Sequence, residues 1–153
     1  MGQNDMEFFK VSGDRRAFYD LLLLADEQED MISRYIDRGD MFVLKENSDV
    51  CGQAIVTEEG EGIYEIKSLS VYPKYQKTGV GSRIVQQCLE YYVNWKEFRV
   101  GTGDAPEGTV AFYEKLGFKR YGVIEDFFTL NYDHPIIENG YRLKDMVMLK
   151  MTR

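Results

Sequence analysis

Hydrophobic residues recur along this chain with two different periods. Ala17, Phe18, Leu21, Leu22 and Ala25 follow the spacing of an amphipathic helix. Several other apolar runs are short and end at polar turns, as in strands. The predicted elements, in chain order, are a strand at 6–11, helices at 14–24 and around 31–36, strands at 41–45, 51–57 and 63–71, a helix at 79–95, a strand at 98–101, a helix at 110–116, a strand at 121–130, a long loop at 131–144 and a strand at 146–151. Short turns join the three middle strands, so the pattern predicts an α/β protein with a mixed sheet.

Length and composition predict an ordinary globular protein. The chain has 153 residues, of which 44% are hydrophobic and 29% charged. No repeat or linker interrupts it, and we expect residues 1–153 to form a single domain. No apolar run is long enough to span a bilayer, and the N-terminus lacks the features of a signal peptide. A cytoplasmic location without a membrane partner is the resulting expectation.

Charge and cysteine content restrict the possible functions further. The net charge of −7 disfavours binding to nucleic acid or to an anionic membrane. It is compatible with a cationic substrate, and equally with a surface that is simply well solvated. Cys51, Cys88 and His134 lack the spacing of a zinc site or a disulfide framework, so we expect no metal.

The segment from Gln76 to Arg83 carries the clearest chemical signal. A predicted strand runs into a loop with Gly79 and Gly81, and this loop opens the longest predicted helix. Backbone N–H groups at a helix start have no intrahelical partner, and glycines let an anion approach them closely. The segment therefore suits a phosphate or pyrophosphate, to which Lys77 and Arg83 could add positive charge.

Two common phosphate-binding motifs do not match. The string Gly-x-x-x-x-Gly-Lys-[Ser/Thr] is absent from the sequence. A dinucleotide fingerprint starting at Gly79 or Gly101 would need glycine where Ile84 and Pro106 stand. What remains is Gln-x-x-Gly-x-Gly over residues 76–81.

This remaining pattern resembles motif A of the GNAT acetyltransferases. Residues 65–73 resemble the fourth strand of that family, and residues 111–118 resemble its Tyr-x-x-x-Gly-Phe motif, in the family's order and spacing. The resemblance covers nearly the whole chain. It implies the GNAT acyl-CoA N-acyltransferase fold, an α/β (α+β) fold with a mixed, mostly antiparallel sheet of about seven strands flanked by four helices. It also implies acetyl-CoA as co-substrate.

The resemblance also implies roles for individual residues. Glu65 stands where the family often places a general base that acts through water, although a strand glutamate paired with a lysine fits it equally well. Tyr113 stands where the family places the general acid that protonates the leaving thiolate. Gly108 departs from the family, in which asparagine often contacts the pantetheine arm at this position. The residues implied to bind the cofactor are Leu69, Ser70, Val71, Gln76, Lys77, Thr78, Gly79, Val80, Gly81, Ser82 and Arg83.

The function implied is an N-acetyltransferase that moves acetyl from acetyl-CoA to a primary amine by direct attack in a ternary complex. The alternatives are a non-catalytic sensor that binds CoA or acyl-CoA on the same fold, and a scaffold protein. The predicted loop after the first helix carries Asp26, Glu27, Glu29 and Asp30, which suggests a cationic amine, either a small molecule or a peptide amine. Helix capping and solvation would explain these acids equally well. A homodimer is a further expectation from the family.

Overall fold

The computed structural model describes residues 5–153, which form nine strands and five α-helices. A seven-stranded sheet has the order β1-β2-β3-β4-β5-β9-β6, and β7 and β8 form a separate hairpin. The elements are β1 (Met6–Lys10), α1 (Tyr19–Ala25), α2 (Glu29–Ile32), β2 (Asp40–Glu46), β3 (Asp49–Gly60), β4 (Ile63–Val71), α3 (Val80–Tyr91), β5 (Glu97–Gly103), α4 (Thr109–Lys115), β6 (Lys119–Ile124), α5 (Phe127–Asn131), β7 (Ile137–Glu138), β8 (Tyr141–Arg142) and β9 (Met146–Thr152).

The sheet is mixed because one central pair of strands is parallel. β4 and β5 run parallel over four residue pairs, from Ile63–Glu97 to Ile66–Val100. Every other neighbouring pair in the sheet is antiparallel. The prediction of a mixed, mostly antiparallel sheet of about seven strands is therefore confirmed.

Helices cover both faces of the sheet. On one face α3 buries Val80, Ile84, Val85 and Cys88, and this spacing of four, one and three residues is the apolar stripe of an amphipathic helix. The stripe packs in the larger core cluster, which includes side chains of β2, β3, β4, β5 and β9. On the other face, α1 and the segment that begins with α2 form a second, smaller cluster against β2 and β3.

The first predicted helix is shorter than expected. Residues Arg15–Phe18 form a 3₁₀ turn capped by the Asp14 carboxylate, which accepts a hydrogen bond from the Arg16 backbone N–H, and the α-helix begins only at Tyr19. The next helix ends at Ile32, and turns rather than helix follow it up to Arg38. The helix predicted at 79–95 ends at Tyr91.

The strand predicted at 121–130 is correct up to Ile124 and wrong beyond it. β6 stops at Ile124, Asp126 adopts a left-handed conformation with φ of 57°, and α5 follows as a fifth helix instead of more strand. Phe128 of α5 is buried with Ala105 and Leu143, so tertiary packing outweighs the β-propensity of this aromatic run. The long loop predicted at 131–144 contains the β7–β8 hairpin.

Among the helices of residues 5–153, none is long and apolar enough to cross a membrane. Within the same residues, no group of three or more histidine, cysteine or acidic side chains is arranged to hold a metal ion.

Candidate functional site

The two parallel strands at the centre of the sheet separate and open a cleft. Pairing between β4 and β5 ends at Ile66 and Val100, so residues 67–71 have no β5 partner. The register of β4 against β3 also shifts at Lys67, and an irregularity of this kind bends a strand. The resulting space, which we call the strand cleft, has a volume of about 400 Å³ and lies between residues 67–69 and residues 101–103.

A second space lies beside the glycine-containing loop. It has a volume of about 700 Å³, and we call it the loop cavity. Gly79 precedes α3 with φ of 88°, a left-handed conformation that glycine adopts without a steric cost. The first N–H groups of α3 lack intrahelical partners, and Gln76 steadies the loop by donating from Nε2 to the Val71 carbonyl at 3.0 Å. The loop cavity therefore suits the phosphates and extended arm of a CoA molecule.

The residues predicted to bind the cofactor divide between two sides of this loop. The structure brings eight of them to the loop cavity: Leu69, Ser70, Val71, Gln76, Lys77, Gly79, Gly81 and Ser82. The other three, Thr78, Val80 and Arg83, line a separate hollow of about 380 Å³ that also touches Gly79. Val80 is buried in the larger core cluster.

Tyr113 lies where the strand cleft and the loop cavity meet, and it lines both. Its side chain is 5% exposed and packs edge-on against Phe112 and Phe118, with ring centroids 5.0 and 5.5 Å away. Within residues 5–153 its hydroxyl makes no hydrogen bond. Burial raises the pKa of Tyr113, so the hydroxyl keeps its proton at neutral pH.

Glu65 does not line either space. Its Oε2 atom accepts a hydrogen bond from the Lys67 ammonium at 2.7 Å, and both side chains are largely buried. Lys67, two residues further along β4, does line the strand cleft. The pairing with a lysine that the sequence left open is thus observed, and any role of Glu65 at the cleft would have to act through an intervening group or water.

Asp26 follows α1 and lines the strand cleft. Its two carboxylate oxygens accept hydrogen bonds from the Tyr132 hydroxyl at 2.7 Å and the Tyr35 hydroxyl at 3.2 Å. Burial raises the pKa of Asp26, while these two hydrogen bonds oppose the shift. Glu27 also lines the cleft, and its Oε1 atom lies 2.8 Å from Nε2 of His134. The loops after α1 and α5 are thereby joined over one end of the cleft.

Glu138 lies in β7 and was not identified from the sequence. It lines both the strand cleft and the loop cavity, as Tyr113 does. Its Oε2 atom is shielded from solvent and has no hydrogen-bond partner within residues 5–153. Burial, and secondarily the negative charge of Asp104, raise the pKa of Glu138. The sequence did not single out this residue, because its segment was predicted to belong to the long loop at 131–144.

Gly108 and Glu138 occupy the same small region. A Cβ atom added to Gly108 would lie 2.6 Å from Oε2 of Glu138 and 3.2 Å from the Ala105 carbonyl oxygen. A larger side chain at position 108 therefore cannot coexist with the observed position of the Glu138 carboxyl. An asparagine at this position, as is common in the family that the sequence resembles, would therefore require the Glu138 carboxyl to move.

Comparison with known proteins identifies the family. Residues 37–120 match the model of the acetyltransferase (GNAT) domain. The chain is 32% identical over 133 residues to the uncharacterized N-acetyltransferase YvbK of Bacillus subtilis, covering 86% of each protein. This chain belongs to the GNAT acetyltransferase family. The expectation of an acetyl-CoA-dependent N-acetyltransferase is confirmed at this level.

Two solved structures show the same fold over almost the full length. A GNAT family acetyltransferase from Elizabethkingia anophelis, described with acetyl-CoA bound, superposes with a TM-score of 0.90 at 30% identity, covering 97% of this chain and 98% of the other. A Bacillus subtilis acetyltransferase in complex with CoA superposes with a TM-score of 0.85 at 29% identity, covering 99% of each. These relatives confirm the predicted fold.

Proposed function

We propose that this protein acetylates a primary, positively charged amine by direct attack on acetyl-CoA in a ternary complex. The observation that carries the proposal is the shared wall between the loop cavity and the strand cleft. Leu24, Leu69, Thr109, Tyr113 and Glu138 line both spaces. A cofactor in the loop cavity and an acceptor in the strand cleft would meet at this wall, so neither has to leave between binding and reaction.

The backbone of β4 suits the thioester end of the cofactor. Past Ile66 the strand has lost its β5 partner, and residues 67–69 line the strand cleft while residues 69–71 line the loop cavity. An extended pantetheine arm can pair with such an edge as an added strand would. A backbone N–H near Leu69 can then stabilise negative charge on the carbonyl oxygen during attack.

The amine must lose a proton before it attacks. An alkyl amine with an ordinary lysine-like pKa of about 10.4 is protonated at pH 7, and making it neutral costs about 4.6 kcal/mol. A carboxylate that accepts this proton removes the obstacle. The family resemblance assigns this role to Glu65 acting through water, and the assignment stays a prediction.

Tyr113 is the proposed general acid. When the tetrahedral intermediate collapses, the C–S bond breaks and the electron pair goes to sulfur. The Tyr113 hydroxyl gives its proton to this sulfur, and the tyrosinate regains one from the nitrogen that has just been acylated. Support comes from the position of Tyr113 at the shared wall and from the absence of a competing hydrogen bond in residues 5–153.

The charge of the strand cleft favours a cationic acceptor. Asp26, Glu27 and Glu138 contribute three carboxyl groups to its lining. Lys67 is the single lysine or arginine that lines it among the described residues, and its charge is already paired with Glu65. A small cationic amine or a peptide amine would balance the excess of acidic groups.

The test is release of CoA from acetyl-CoA with a panel of cationic, neutral and anionic amines. We expect turnover with cationic amines, reduced turnover in Tyr113→Phe, and a smaller effect in Glu65→Gln. A preference for anionic amines would refute the proposed acceptor class. Binding of acetyl-CoA without turnover on any amine would favour the alternative of a non-catalytic acyl-CoA sensor.

The cytoplasmic location and the homodimer expected from the sequence stay predictions. Both cysteines are buried and unpaired, which is compatible with a reducing cytoplasm. The homodimer expected from the family is checked directly by measuring molar mass in solution.

A further inference from the structure

We infer that Glu138, in place of the Glu65 that the family resemblance suggests, is the carboxylate that takes the proton from the acceptor ammonium. The inference rests on the proposed acetyl transfer and names a catalytic residue for it. Among the five residues that line both spaces, only Tyr113 and Glu138 carry a group that can exchange a proton with the reactants at ordinary pH. Tyr113 would act as the general acid and Glu138 as the general base.

Glu138 differs from the other carboxylates around the strand cleft in having no hydrogen-bond or ion-pair partner among the described residues. Asp26 accepts two tyrosine hydrogen bonds, and Glu27 contacts His134. Glu65 is paired with Lys67 and lies outside the lining. The Oε2 atom of Glu138 is buried without a hydrogen bond in residues 5–153. A hydrogen bond from an arriving donor therefore stabilises this buried acceptor. An ammonium group in the cleft is such a donor.

The charged and titratable groups around Glu138 come from several elements. Asp104 lies in the loop before α4, and its negative charge acts on Glu138. Tyr113 faces the same space from α4, Lys67 from β4, and Asp26, Glu27 and Tyr132 from the loops after α1 and α5. Lys77 lines the loop cavity beside it. The nearest influences, burial and Asp104, both favour the protonated form of Glu138, which makes its carboxylate a stronger base than an ordinary one.

Gly108 is the second, independent observation. Position 108 has room for the Glu138 carboxyl only because it has no side chain, since a Cβ there would stand 2.6 Å from Oε2. A side chain at position 108 would therefore displace the Glu138 carboxyl from its observed position. The absence of a side chain at Gly108 leaves the space that this carboxyl occupies.

The proton transfers balance. The ammonium donates one proton to the Glu138 carboxylate, and the neutral nitrogen forms a bond to the acetyl carbon. The C–S bond then breaks, sulfur receives a proton from Tyr113, and the nitrogen returns one to Tyr113. The products are the amide, CoA thiol and protonated Glu138, which releases its proton to solvent.

The experiment compares wild type with Glu138→Gln, Glu65→Gln and the control Glu125→Gln, which removes an equal charge from an exposed site. The probe is the cationic alkyl amine that wild type turns over fastest, measured from pH 6 to pH 10. We expect kcat/KM of Glu138→Gln to fall about 100-fold at pH 7 and to recover as the pH approaches the amine's own pKa. The dissociation constant for acetyl-CoA should stay within about twofold, and Glu125→Gln should match wild type.

Three results would overturn the inference. They are an unchanged pH profile in Glu138→Gln, an effect confined to the KM of acetyl-CoA, or a larger loss in Glu65→Gln than in Glu138→Gln. Glu138→Ala provides a second test, since added formate should restore part of its activity if a carboxylate is required, and failure to do so counts against the role. Turnover by wild type and Glu125→Gln establishes acetyl transfer separately, so the two proposals can fail independently.

Discussion

Replacing Tyr113 with phenylalanine removes a single hydroxyl and leaves the ring in place. The ring packs against Phe112 and Phe118, and these contacts survive the change. The hydroxyl makes no hydrogen bond in residues 5–153, so the folded protein loses no internal bond with it. We therefore expect the free energy of unfolding to change by less than about 0.5 kcal/mol, or about 1–2 °C in Tm.

The expected effect on the reaction is much larger. A positioned general acid contributes about 10²- to 10⁴-fold to a rate. The thiolate that leaves is derived from a thiol with an ordinary pKa of about 8.5, so it is a good leaving group even without protonation. The lower end of the range applies, and kcat should fall about 100-fold, which is about 2.7 kcal/mol in activation free energy.

The assay is steady-state CoA release at saturating acetyl-CoA, with thermal unfolding measured on the same samples. Tyr91→Phe is the matched control, because Tyr91 is an exposed residue of α3 away from both cavities. It should keep wild-type kcat. A kcat of Tyr113→Phe within twofold of wild type would refute the role as general acid. A fall in the Tm of Tyr113→Phe well beyond about 1–2 °C would show that the residue acts through stability.

Three further predictions concern stability, each measured by thermal unfolding. Gly52→Ala should lower Tm by about 2–12 °C, because its Cβ would lie 2.5 Å from the Ser70 carbonyl oxygen and 2.9 Å from Cδ1 of Ile84, and overpacking of this kind costs about 1–3 kcal/mol; an unchanged Tm would contradict this. Ser70→Ala should cost about 1–3 kcal/mol, because the buried Ser70 hydroxyl donates to the Leu21 carbonyl at 2.6 Å and ties α1 to the sheet, and a cost below 0.5 kcal/mol would count against that tie. Glu138→Gln should be more stable than wild type near pH 8 and equal to it near pH 4. Because the pKa of Glu138 is raised in the folded protein, its favourable contribution to stability is present below the unfolded pKa and is lost as pH rises through the folded pKa, whereas glutamine undergoes no such loss. A stability difference that stays constant with pH would refute this prediction.

Sequence periodicity located most of the fold because the relevant signals are local. The stripe of Val80, Ile84 and Cys88 predicted α3, and the turns around β3 predicted the antiparallel meander. Prediction failed where a distant contact decides the structure. The aromatic run around Phe128 has strand propensity, yet Phe128 packs beside Ala105 and Leu143 from other parts of the chain, and the segment is helical.

The candidate site divides in the same way. Gly79, Gly81 and Tyr113 belong to sequence motifs, and the structure brings all three to the loop cavity. Glu138 belongs to no recognised motif. Its importance depends on a hairpin that lies 30 residues along the chain from Gly108 and fills the space that this glycine leaves open.

The family and the glycine-containing loop could be identified from the sequence, since each depends on residues close together in the chain. Which carboxylates face the cleft, and which are already paired, became apparent from the three-dimensional structure. Side-chain burial and partnership depend on elements far apart in sequence, and they set the free energy of each ionised form. For this reason Glu65, identified from its motif position, is observed paired with Lys67, whereas Glu138 lies where both cavities meet and has no hydrogen-bond partner within residues 5–153.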